Sequence, residues 1–95
     1  MDKREIAKMN RRVRTLQQQL ARLGPVMRGS VVVIGTRNKQ PYFSLNKEGK
    51  TRLIYLGKQR ASRAREYAAN YQKLRDIAEE MTIINMKLLK EHARS

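Results

Sequence analysis

Ninety-five residues without a cysteine, with 22 Lys and Arg against eight Asp and Glu, make a small, strongly basic chain of net charge +14. That length buries only a modest core, and the missing thiols exclude disulfides and thiolate metal or redox sites, which fits a reducing, cytoplasmic setting. His92 is the single histidine, so neither a metal nor another cofactor is expected; the longest apolar run, Val31 to Ile34, falls far short of the roughly 20 residues that span a bilayer, and the polar, periodic N-terminus lacks the apolar core of a signal peptide.

Residues 3 to about 23 read as a basic amphipathic helix. Ile6, Met9, Val13, Leu16, Leu20 and Leu23 recur at alternating spacings of three and four, an a/d heptad seam. Gly24 and Pro25 stop it. Lys3, Arg4, Lys8, Arg11, Arg12, Arg14 and Arg22 lie off the seam. Arg11, Arg12 and Arg14 are candidate phosphate contacts, and a merely solvated basic face is the competing explanation.

Residues 27 to 66 read as a basic β-unit. Val31 to Thr36 is β-branched and suits a strand, and Arg37 to Pro41 has turn chemistry. Tyr42 to Asn46 and Thr51 to Leu56 alternate as two further strands around a turn at Glu48-Gly49, where Gly supplies positive φ. The pairing this implies sets Phe43 opposite Ile54, Leu45 opposite Arg52 and Tyr42 opposite Tyr55. One face then carries Phe43, Leu45, Ile54 and Leu56 toward the core, and the other carries the tyrosines outward.

From about Arg60 the chain reads as a helix of some 30 residues running to residue 93. Its expected seam is Ala64, Tyr67, Tyr71, Leu74, Ala78, Met81, Asn85 and Leu88, widened by Ile77, Ile84 and Leu89. Asn85 at a seam position would either fix register and oligomer state or be a partly exposed Asn near a fraying helix end. The fold class expected is therefore α+β: an N-terminal helix, a three-stranded antiparallel sheet and a long C-terminal helix with a heptad seam, all in one structural domain. Two matching seams pair either within one chain or between two, and the small core favours a homodimer or a helix-mediated partner protein.

The charge is unevenly placed. Residues 1 to 65 hold 17 basic side chains against Asp2, Glu5 and Glu48, whereas residues 66 to 95 hold five of each sign. A polyanionic partner explains such an imbalance better than solubility does, because clustered like charges repel unless neutralised. Ser62 is a suitable N-cap, which would put Arg60, Arg63 and Arg65 at a helix start that prefers anions, a local conflict that a bound phosphate resolves. In the turn Arg37-Asn38-Lys39-Gln40, Arg37, Asn38 and Lys39 are candidates for base-edge contact, against the alternative of ordinary polar turn chemistry. Lys47, Lys50, Arg52 and Lys58 suit phosphates, which position without specifying. Tyr42 and Tyr55 are candidates for base stacking, against the alternative of an ordinary cross-strand aromatic pair. The carboxylates are too scattered for a catalytic metal cluster and no nucleophile has a partnered base, so an enzyme is not expected.

The order Gly29-Ser30, Pro41-Tyr42-Phe43-Ser44-Leu45, Gly49-Lys50-Thr51, Ile54-Tyr55-Leu56, then Tyr67, Tyr71 and Leu74 resembles a family of small prokaryotic domains encoded in mobile elements and beside transposases. The likeness covers about residues 27 to 90. Members commonly carry a Cys-rich loop where this chain has Gly35 to Gln40, so a metal role does not carry over. The resemblance implies a mobile-element or phage context and a DNA-linked accessory role. Docking on a larger nucleoprotein, such as a transposase or an RNA-guided complex, and RNA binding are the alternatives.

Overall fold

Asp2 opens the first helix by accepting a hydrogen bond from the Glu5 backbone N–H at 2.8 Å, which satisfies one of the amides left unpaired at a helix start. A computed structural model describes residues 1–92; residue 93, the last of the expected C-terminal helix, lies outside them. The elements run α1 (Lys3–Ala21), β1 (Ser30–Ile34), β2 (Gln40–Lys47), β3 (Lys50–Tyr55) and α2 (Gly57–His92). The fold is α+β, as the sequence pattern predicts. Two compact units are formed, one from residues 1–23 with the chain from residue 73 onward and the other from residues 24–72.

In the helical unit, the second half of α2 runs antiparallel beside α1. Arg12 pairs with Glu80, and the N-terminal amine with Glu91. Ile6 shares a groove with Leu88, and Met9 with Ile84. The same register sets Leu16 level with Ile77, both buried. The seam of α2 is thus Leu74, Ile77, Met81, Ile84 and Leu88, half-buried or buried throughout, which corrects the expected stripe by one residue at two places. Ile77 and Ile84 offer more apolar area than Ala78 and Asn85, so the helix turns them inward. Asn85 is exposed and takes no part in the seam. Within this chain the two seams meet each other.

In the other unit the strands form an antiparallel sheet in the order β1-β2-β3. The register is the expected one: Tyr42 opposite Tyr55, Phe43 opposite Ile54, Leu45 opposite Arg52. Glu48 at φ 53° and Gly49 at φ 76° close the hairpin, the backbone of a type I′ turn whose twist matches that of the strands. The first half of α2 lays Ala61 and Ala64 on Phe43 and Leu56, with Met27, Val31, Leu45 and Ala68 packed around them. Small alanines let the helix approach closely over Val31 and Phe43. They do not reach across to β3, so Ile54 is 60% exposed; its expected place in the core is corrected on that ground.

The segment between α1 and β1 is fastened to α2. Asn70, buried at 8% exposure, donates from Nδ2 to the Pro25 carbonyl at 3.0 Å. The Met27 N–H donates to the Tyr67 carbonyl at 3.1 Å. Gly29 passes so close to β2 that a Cβ there would lie 2.4 Å from the Ser44 carbonyl oxygen and 2.7 Å from the Phe43 ring.

Candidate nucleic-acid interface

The helix α2 starts at Gly57, at φ 69°. Ser62 therefore sits in the second turn and is not the N-cap, which corrects the expected helix start. A chain leaving β3 at Tyr55 reverses through the glycine, and the helix follows at once. Of the expected helix-start cations, Arg60 alone remains in the first turn, where Lys58 joins it, while Arg63 and Arg65 lie further along. Arg60 donates from Nε to the Leu56 carbonyl at 2.8 Å. At about 100° per residue, Lys58 and Arg65 fall on one flank of the alanine stripe that meets the sheet, and Arg60 and Arg63 on the other.

The remaining cations of this unit gather at the two ends of the sheet. At one end, where β1 stops, β2 starts and α2 begins, are Arg37, Lys39, Lys58 and Arg60. At the other end Lys47 and Lys50 face each other across the hairpin, with Arg52 next along the same face. Arg28 joins them, donating from Nη1 to the Asn46 carbonyl at 2.9 Å. Sequence reasoning passes over Arg28, an isolated cation in a linker that holds Pro25 and Gly29; only the fold sets it beside β2.

Tyr42 and Tyr55 meet edge to face, with centroids 5.5 Å apart and rings at 70°. The Tyr55 hydroxyl donates to Gln40 Oε1 at 3.2 Å, and Gln40 Nε2 donates to Asn38 Oδ1 at 3.0 Å. These hydrogen bonds tie the tyrosine pair to the β1–β2 turn and occupy one side of the Asn38 amide. The arrangement is that of a cross-strand aromatic pair. Lys47, Lys50 and Arg52 are on the opposite face of the sheet, so the hairpin cations and the tyrosines do not form one platform.

On α1, Arg11 and Arg14 are exposed, whereas Arg12 grips Glu80 with two nitrogens, Nη2 reaching Oε1 at 2.9 Å. The side-chain hydrogen bond, ahead of Coulombic attraction, raises Arg12 above its ordinary pKa, and the same hydrogen bond holds the Glu80 carboxyl below its own. Arg12 is thereby committed to the helical unit, and Arg11 and Arg14 are left as the available pair. Among the described residues no group of three His, Cys, Asp or Glu side chains is gathered to hold a metal, and no helix is long and apolar enough to cross a membrane. No protein-family model, curated protein or solved structure matches the chain.

Proposed function

We propose that this chain is a nucleic-acid-binding accessory protein that engages DNA mainly through phosphate contacts and performs no chemistry on it. The observation that carries this reading is the charge of the sheet unit. Residues 24–72 bear ten Lys and Arg against Glu48 and Glu66 alone. Two carboxylates leave most of that charge to be neutralised by a partner, and the Arg12–Glu80 and N-terminal amine–Glu91 ion pairs both belong to the helical unit. Phosphates are the partner that rewards dispersed Arg and Lys, since each one neutralised releases a condensed counterion. Arg37, Lys39, Lys58, Arg60, Arg63 and Arg65 form the principal phosphate-binding set, with Arg11 and Arg14 as a further pair. A mobile-element or phage setting belongs to this proposal through the sequence resemblance, and a cytoplasmic location through the absence of cysteine.

Salt-titrated binding of the full chain to duplex DNA, single-stranded DNA and structured RNA tests it. Duplex DNA is expected to bind with a steep negative salt slope, and replacing Lys58, Arg60, Arg63 and Arg65 by Ala lowers that slope by about one for each phosphate no longer neutralised. Tighter binding to structured RNA would reassign the target. No measurable affinity for any of the three at about 50 mM salt would overturn direct binding and leave docking on a nucleoprotein through its protein component.

A further inference from the structure

A groove of about 760 Å³ opens on the hairpin half of the sheet, lined by Met27, Arg28, Phe43, Leu45, Arg52 and Ile54 along with Leu53. It lies on the same sheet face that α2 packs against, in the part toward β3 that the helix does not reach, and its wall is β3, whose residues are exposed along the whole strand. Ile54 is exposed on this face, and its neighbours Leu53 and Tyr55 are exposed along the same strand, with Tyr55 on the tyrosine face. Arg28 and Arg52 line the groove, and the Lys47–Lys50 pair follows Arg52 on the same face; no Asp or Glu is among the lining residues.

The backbone of β3 is as informative as its side chains. Around a two-residue turn the flanking residues exchange both ladder hydrogen bonds, so Lys50, Arg52 and Ile54 point N–H and C=O toward β2. The Leu56 N–H bond to the Pro41 carbonyl, 3.0 Å, continues that alternation past the strand's end. Thr51, Leu53 and Tyr55 consequently turn their N–H and C=O groups outward, to an edge that pairs with no strand. Charged residues on an edge strand ordinarily discourage pairing. Here the charge is of one sign and stands beside an apolar floor, which selects among partners instead of rejecting all of them.

We infer that the β3 edge and its groove receive an extended acidic–apolar segment of a partner protein, added as a fourth strand. The segment's backbone bonds to Thr51, Leu53 and Tyr55. On the groove side, an aliphatic residue covers Ile54, and carboxylates meet Arg52, Lys50 and Arg28. Nucleic acid satisfies the cations but has no peptide backbone to complete a strand edge, and the floor is largely aliphatic, where base stacking requires aromatic faces. A second copy of the chain fits less well, because it brings the same excess of positive charge to the interface. The inference does not rest on the DNA-binding proposal, whose principal cations lie on α2 and at the other end of the sheet.

The test uses the full chain and a labelled ten-residue peptide with Thr at every second position and Val, Val, Glu, Glu and Glu at the positions between, so that one face carries both the aliphatic residues and the carboxylates, followed by fluorescence anisotropy. Its counterpart carries N-methyl groups on alternate residues, which removes the outward-facing donors while keeping composition and charge. The methylated peptide is expected to bind at least about tenfold more weakly, the loss that follows from two or three missing backbone hydrogen bonds. Leu53→Pro removes an outward N–H without touching the β2 ladder and is expected to weaken the unmodified peptide similarly, while Ile54→Glu opposes it by charge. Equal binding of the two peptides would show plain charge attraction and overturn the inference. So would self-association of the wild type abolished by Leu53→Pro, which would hand the edge to a second copy.

Discussion

Asn70 shows how a single polar side chain fixes a connection that apolar patterning does not specify. It lies on α2 between Tyr67 and Tyr71, turned toward the linker, and its amide is aimed at the carbonyl of Pro25. Gly24 has to remain small beside it, because a Cβ there would come within 3.1 Å of the same Nδ2. Removing the amide leaves a shielded carbonyl without its donor, a change that costs about 1–3 kcal/mol at buried sites. Asn70→Ala is therefore expected to lower the unfolding free energy of the full chain by that amount, read as a lower urea midpoint at an unchanged m-value. Asn70→Asp should be no better, since a carboxylate cannot donate to Pro25. If Asn70→Ala unfolds at the wild-type midpoint, the linker is held by the Met27–Tyr67 backbone bond and by packing alone.

At the scale of elements, the hairpin carries a conflict of its own. Lys47 and Lys50 are directly opposed beside the turn, and like charges at that position destabilise a strand pair by a fraction of a kcal/mol. Lys50→Glu is expected to raise thermal stability slightly while reducing nucleic-acid affinity and the salt slope by about one phosphate. Differential scanning calorimetry and salt-titrated binding on the same sample read the two effects. Improved stability with an unchanged slope would remove the hairpin from the nucleic-acid surface. The hairpin is also the element most legible in the sequence, because alternation and a Glu-Gly turn leave one register that keeps Phe43 on the core face. The start of α2 is not legible: Gly57 reverses the chain by adopting positive φ, whereas Ser62 carries a capping side chain but no end to cap. Ile54 is misplaced by pattern alone because alternation assigns a face, while the reach of the covering helix decides burial. The site is legible as a set of cations, and its division between two ends of the sheet requires the strand order.

For the whole molecule, charge and apolar surface set opposite responses to salt. With α1 occupying the seam of α2, the apolar surface that α2 itself still offers to a homodimer is Ile83, Met86 and Leu89, at 47%, 65% and 67% exposure, spaced to form one stripe on the helix. It lies in the third of the chain whose charges balance, residues 66 to 95, so two copies meeting there avoid the strongest of their mutual repulsion. The remaining repulsion, from +14 on each copy, is screened as ionic strength rises, and burial of the stripe is not weakened by it. Self-association is accordingly expected to strengthen between about 50 and 500 mM salt, the range over which phosphate binding falls steeply. Sedimentation equilibrium of the wild type and of Met86→Glu at both salt concentrations reads this directly. The wild type should shift toward dimer with salt, and the variant should stay monomeric while binding duplex DNA with the wild-type slope. A wild type that remains monomeric at high salt would remove the dimer from the proposal. Loss of DNA binding in the uncharged Met86→Gln as well would instead show that two copies are needed to hold the nucleic acid, whereas loss in Met86→Glu alone would reflect repulsion of phosphate by the new carboxylate.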